Sequence, residues 1–195
     1  MIRDKKKIDK GAGYGTDDSG ISGRDVEKTV WRGSFREDPR GISGETPGDT
    51  PVNPLKADRN SVEQALTGAG IAFKNVSWYE DAMIIEGARE PEIQELPIYQ
   101  EGGIYLQSLS SMLPPLFLGP KAGESVLDMA AAPGGKTTQM AAMTGNQAQI
   151  TACEKNKARS EKLKYNLEKQ GASGTYVMVE DARKLDDFFS FDGSS

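Results

Sequence analysis

The stretch Val126-Leu127-Asp128-Met129-Ala130-Ala131-Ala132-Pro133-Gly134-Gly135-Lys136-Thr137-Thr138 decides the fold. Ser125 to Asp128 reads as a short buried strand and Thr137 to Met143 as a helix, so the residues between them make a tight strand-to-helix turn. Alanine and glycine in such a turn let the backbone come close to a ligand. The free N–H groups of the helix that follows can receive a carboxylate or a phosphate. A glycine-rich turn without a ligand is the plainer alternative, and two acidic residues farther along the chain weigh against it.

Toward the C-terminus, Gln149 to Cys153 reads as a second strand and Lys157 to Gln170 as a helix. Leu163 and Leu167 lie one turn apart on its buried face, and Gly171 marks its end. Tyr176 to Val179 makes a third strand. Strand, helix, strand, helix, strand is the first half of a doubly wound, Rossmann-like α/β domain, whose ligands bind outside the carboxyl ends of the strands. Glu154 ends the second strand, about twenty residues past the glycine turn, where a carboxylate can accept hydrogen bonds from both hydroxyls of a ribose. Asp181 follows the third strand, placed to take the amino group of an adenine. Each acid alone is an ordinary solvated charge. With the turn, they outline a site for an adenosine ending in a small charged group, the shape of S-adenosylmethionine.

Upstream, Asn60 and Glu63 form a candidate capping box for a helix carrying Val62, Ala65, Leu66 and Ala69 and stopped by Gly70. Ile71 to Phe73 and Ala82 to Ile85 read as short strands bounded by Gly87, giving a small α+β module. Residues 1 to 48 are rich in Gly, Ser, Asp and Lys, with too few apolar side chains to offset the entropy of ordering, and are expected to form a disordered tail. The expected division is therefore 1–48 tail, 49–118 module with a lead-in segment, and 119–195 the N-terminal half of the α/β domain.

The 195 residues carry a net charge of −5, so a nucleic-acid surface would have to be a local patch. With one cysteine and no histidine, disulfide frameworks, zinc clusters and histidine acid–base chemistry are excluded within this chain, and no metal is expected. No stretch approaches the roughly 18 apolar residues of a membrane span, and the expected location is the cytoplasm.

Ala131-Ala132-Pro133-Gly134-Gly135-Lys136-Thr137 resembles the cofactor loop of the Sun (Fmu) family of S-adenosylmethionine-dependent RNA cytosine-5 methyltransferases. Gly103-Ile104-Tyr105-Leu106-Gln107 and Ser110-Ser111-Met112-Leu113-Pro114 are similar to the segment that leads into the family's catalytic domain, and Val52-Asn53-Pro54-Leu55-Lys56 to the opening of its small RNA-binding subdomain. The likeness spans about residues 50 to 192. It implies that Ala130, Ala131, Ala132, Pro133, Gly134, Gly135 and Lys136 line the methionine end of the cofactor, with Glu154 on the ribose and Asp181 on the adenine. It also implies an RNA partner, rRNA or tRNA, with Lys56, Arg59 and Lys74 as candidate contacts by charge. Pro51 stands where the family usually has arginine, and Ser108 where an acidic residue is common.

The family's reaction adds a cysteine thiolate to carbon 6 of cytosine so that carbon 5 can attack the sulfonium methyl. Those cysteines, in Thr-Cys and Pro-Cys motifs, follow the third strand in the family, so the chain is expected to stop short of them and to be inactive alone. Cys153, inside an apolar strand, reads as a small buried hydrophobe. Ending after the third strand is also expected to leave the edge of Val126–Met129 bare, open to a second chain. A P-loop nucleotidase is the nearest rival, but its motif needs glycine where Ala130 stands, and a rigid Pro133 sits inside the loop. The oxidoreductase motif G-x-G-x-x-G is absent. A non-catalytic remnant that binds RNA or cofactor is the third reading.

Overall fold

The structure is a computed structural model that describes residues 2–3 and 49–187. Most of the expected tail, residues 4–48, lies outside the described residues. The described part falls within one compact unit built on two sheets.

The first sheet is antiparallel, in the order β2 (Asp49–Pro51), β4 (Ala82–Glu86), β3 (Ala72–Asn75). Helix α1 (Arg59–Gly68) covers it, burying Val62 and Leu66 against Met83 and Ile85. The helix starts earlier than expected: Asp58, not Asn60, is its cap, its carboxylate accepting from Ser61 N at 2.9 Å. Glu63 is engaged elsewhere, by Arg59 one turn back at 2.8 Å, so the expected capping box does not form. Two short helices, α2 (Glu90–Gln94) and α3 (Pro97–Gln100), add Ile93 to the same core. These helices and β2 carry no periodic pattern long enough to be read in advance.

Residues 102–107 then run alongside β2, with Gln107 N donating to Asp49 O at 2.9 Å and Asn53 N to Gly103 O at 2.8 Å. Helix α4 (Leu109–Leu118) follows and ends at Gly119, whose positive φ of 52° gives the chain its left-handed exit.

The second sheet has the order β1 (Ile2–Arg3), β5 (Ser125–Asp128), β6 (Gln149–Cys153), β7 (Thr175–Met178). The last three strands are parallel, in the register Val126–Ile150–Thr175. They are joined by α5 (Gly135–Met143) and α6 (Lys157–Lys169), so the expected βαβαβ half-domain is present. Its core holds Val126, Met140, Ala141, Ile150, Leu163 and Leu167. Two expectations change. Helix α5 begins at Gly135, two residues early, because Gly134 at φ 119° caps it. The edge of β5 is not wholly bare: Ile2 and Arg3 pair antiparallel with Leu127 and Val126, two of the four residues whose edge was expected to lie open to a second chain. The first residues of the expected tail therefore belong to a sheet.

Candidate cofactor site

The carboxyl ends of β5, β6 and β7 lie side by side, and the loop 129–134 leaves from the first of them. Ala131 N donates to Cys153 O at 3.0 Å, and Glu154 N to Met178 O at 3.1 Å. The loop, Glu154 and the segment after β7 are thus stitched along one end of the sheet.

The loop rests on buried polar groups. Asp128, 3% exposed, accepts from Thr137 Oγ1 at 2.7 Å and from Ala130 N at 3.3 Å. This buried carboxylate fixes both ends of the turn, and it was not among the expected site residues although it stands in the same motif. On the outer side, Arg159 Nη2 donates to Ala132 O at 3.1 Å and Asn166 Nδ2 to Pro133 O at 2.7 Å.

The expected residues divide by environment. Ala130 and Pro133 are exposed, whereas Ala131, Ala132 and Gly134 are buried. Gly134 backs onto α6, where an added Cβ would stand 3.1 Å from Leu163 Cδ1. Gly135 faces the lead-in segment: a Cβ there would lie 2.5 Å from Gln107 Oε1 and 3.0 Å from Tyr105 Cε1. Its smallness serves a close contact of α5 with residues 105–107. Burial pushes the Tyr105 hydroxyl up to about 12. Lys136, in the first turn of α5, has no ion pair among the described residues.

Glu154 is buried at 6% exposure. One carboxylate oxygen accepts from Asn156 N at 2.8 Å and the other faces Arg159 Nη1 at 3.3 Å. Asp181 is held by Arg183, whose Nε lies 3.0 and 3.1 Å from its two oxygens. That guanidinium and the Arg183 N–H keep the carboxyl well below the usual range. Both acids are therefore engaged by arginines close in sequence.

Cys153 is fully buried, and burial, with Asp128 and Glu180 adding to it, pushes its thiol up. Of the candidate RNA contacts, Arg59 pairs with Glu63 and Lys74 with Glu86, while the Lys56 stem packs against Gly171 of the other sheet's domain half. Pro51 is buried in the first sheet, and Ser108 is the N-terminal cap of α4. Among the described residues no group of three or more His, Cys, Asp or Glu could hold a metal, and no helix is long and apolar enough to cross a membrane.

Residues that sequence reading overlooked join the two sheets. Asn53 Nδ2 donates to Gly102 O at 2.9 Å, Gln170 O at 2.8 Å and Gln170 Oε1 at 3.0 Å, all buried. The segment Val52–Lys56 thereby grips the end of α6.

Residues 115–193 match the family profile of the 16S rRNA methyltransferase RsmB/F. Over that stretch the chain carries the domain of the Sun (RsmB/F) family. It is 35% identical over 150 residues to the tRNA (cytosine(72)-C(5))-methyltransferase of Pyrococcus horikoshii, covering 68% of this chain and 39% of that protein. It is 36% identical over 135 residues to the 25S rRNA (cytosine-C(5))-methyltransferase nop2 of Schizosaccharomyces pombe, covering 69% of this chain and 22% of nop2. With the ribosomal RNA small subunit methyltransferase F of a Shewanella strain it shares 36% over 145 residues, 72% of this chain and 30% of that enzyme. The chain thus spans well under half the length of these relatives. A solved methyltransferase homologue from Pyrococcus horikoshii superposes with a TM-score of 0.68 at 34% identity, over 74% of this chain and 47% of the other. NSun6 from the same organism, solved with SFG, shares the fold with a TM-score of 0.67 at 20% identity, over 84% of this chain and 64% of that one.

Proposed function

We propose that these residues form the cofactor-binding half, residues 119–195, and the RNA-facing module, residues 49–118, of an S-adenosylmethionine-dependent RNA cytosine-5 methyltransferase acting on rRNA or tRNA in the cytoplasm. The observation that carries the reading is the ordered loop 130–136, anchored to the end of β6 beside the buried Glu154, with Asp181 at the end of the next strand. The donor set suits the cofactor. Backbone N–H groups at the start of α5 suit its carboxylate, Glu154 a pair of ribose hydroxyls, and Asp181 an adenine amino group.

When bound, S-adenosylmethionine supplies an electrophilic methyl group on a sulfonium. The chain's own part is to hold it: Ala130 to Lys136 cradle the methionine end, and Glu154 and Asp181 orient the nucleoside. The loop's small residues keep side chains out of the way of the ligand. Cys153 is fully buried and burial pushes its thiol up, which disfavours the thiolate that an attack on cytosine would need. Lys56, Arg59 and Lys74 remain candidate RNA contacts, and phosphate neutralisation would supply much of the affinity.

The test is calorimetric titration with S-adenosylhomocysteine, ATP and NAD. Only the first should bind, and Glu154→Ala and Asp181→Ala should each weaken it by about tenfold, in line with the loss of hydrogen bonds to a charged acceptor. Binding of ATP that depends on Lys136, with no uptake of S-adenosylhomocysteine, would instead restore the P-loop reading.

A further inference from the structure

We propose that Arg159 and Asn166 of α6 are positioning residues that set the shape of the cofactor loop, and that Arg159 couples this loop to Glu154. The inference rests on the cofactor reading above and deepens it.

Arg159, Leu163 and Asn166 recur at four and three residues, so they share one face of α6. That face tracks the loop residue by residue. Arg159 Nη2 takes the carbonyl of Ala132 at 3.1 Å, Asn166 Nδ2 takes that of Pro133 at 2.7 Å, and Leu163 packs against Gly134. The Pro133 carbonyl and the Gly134 N–H belong to one planar peptide group. Because that bond is trans, holding the carbonyl against α6 turns the Gly134 N–H to the opposite side, away from the helix. Asn166 therefore sets the direction of the amide that opens α5.

Arg159 does two things with one guanidinium. Its Nη1 lies 3.3 Å from Glu154 Oε2 while its Nη2 holds the loop. A need to neutralise the buried Glu154 accounts for the first contact. It does not require the second, a part-buried bond to the Ala132 carbonyl, nor the exposed bond from Asn166 to the Pro133 carbonyl, which water could replace. The planar fork of arginine fixes the two contacts relative to each other. The methionine-end loop and the ribose acid are thus held at a set distance by one side chain.

The experiment combines two readouts on the full 195-residue chain. Amide hydrogen exchange across 131–137 reads the loop without any ligand, and titration with S-adenosylhomocysteine and with adenosine reads the site. Asn166→Ala should raise exchange in the loop at least fivefold and weaken S-adenosylhomocysteine by about tenfold while leaving adenosine unchanged, because only the methionine end meets the loop. Arg159→Ala should weaken both ligands, and Arg159→Lys, which keeps the charge but not the fork, should restore adenosine and not S-adenosylhomocysteine. Melting temperatures identify any variant that has merely unfolded; Asn166→Ser and Arg159→Gln then replace it in the same assays. Unaltered loop exchange in the folded variants overturns the inference whatever the ligands do, as does equal weakening of both ligands by Asn166→Ala. Failure of the unmodified chain to take up S-adenosylhomocysteine, with loop exchange still raised by the variants, overturns the cofactor reading and leaves the brace standing as a feature of the loop.

Discussion

Thr137 donates its hydroxyl to Asp128 across 2.7 Å, joining the end of β5 to the first turn of α5 with both side chains buried. Thr137→Val keeps the shape and deletes the donor, leaving the carboxylate with only Ala130 N at 3.3 Å. The expected cost is ~1.5–3 kcal/mol, the range for hydrogen bonds to charged groups, measured as a lower urea midpoint at unchanged slope. A shift under ~0.5 kcal/mol would show that the pair does not brace the turn.

Two glycine-to-alanine changes should act in opposite directions. Gly68, the last residue of α1, has open space around its missing Cβ and no positive φ, so Gly68→Ala should stabilise the chain by ~0.4–1 kcal/mol. Gly135→Ala meets Gln107 and Tyr105 at 2.5 and 3.0 Å and should cost ~1–3 kcal/mol through overpacking. Equal effects in thermal melts would remove the assigned role of Gly135 as a contact between α5 and the lead-in segment.

Much of this architecture is written locally, and what escaped the sequence reading is mostly long-range. The β5 to β7 frame follows from short apolar runs alternating with helical periodicity, and Gly70 and Gly171 end their helices at φ of 72° and 71° as expected. Asn53 meets Gln170 across 117 positions, and no pattern within a window of a dozen residues reports such a pair. Ile2 and Arg3 are legible only as part of a polar tail until β5 is there to pair with them. Local competition caused the remaining errors. Asp58 and Asn60 are both good caps, and Asp58 prevails because its carboxylate takes both the N–H and the hydroxyl of Ser61. At the site, Glu154 and Asp181 follow the ends of β6 and β7 as expected, but the arginines that engage them, five and two residues on, carry no signal in the sequence pattern.

Asn53→Ala would leave the carbonyls of Gly102 and Gln170 buried without this donor. A loss of ~2–4 kcal/mol is expected, since more than one buried acceptor is orphaned. Hydrogen exchange should rise at residues 102–104 and at the end of α6 together. A rise confined to the first sheet would mean that Asn53 does not tie the two sheets.

Asp181 should titrate far below the ordinary carboxylate value of 3.8 because Arg183 holds it. The sign follows from that direction: the folded chain binds this proton less readily than the unfolded one, so the interaction is fully present above the unfolded value and is lost as pH falls toward the depressed folded value. In Arg183→Ala the carboxyl should return toward 3.8, read by carbon-13 chemical shift of the side chain. The contact is solvent-exposed, so overall stability near neutral pH should change little. A carboxyl that titrates normally in the unmodified chain would mean that Arg183 is not bound there.

Cys153 supplies the last prediction, because it decides what this chain can do alone. It lies at the end of β6, fully buried, with its thiol pushed above the usual value by burial first and by Asp128 and Glu180 second. The thiolate is thus disfavoured in the folded chain, so the stability contribution of the buried thiol is fully present below the unfolded value of 9.0 and is lost as pH rises through the raised folded value. At pH 8 a maleimide should label Cys153 slowly, at a rate that follows unfolding, and quickly once urea is added. Since a cytosine carbon 6 can be attacked only by a thiolate it can reach, the purified 195-residue chain should transfer no labelled methyl to cytosine-containing RNA. Cys153→Ser should leave S-adenosylhomocysteine binding intact and cost ~1–3 kcal/mol of stability, the penalty for burying a hydroxyl without a partner. Fast labelling at neutral pH, together with methyl transfer abolished by Cys153→Ser, would make this cysteine the nucleophile and reverse its reading as a buried hydrophobe.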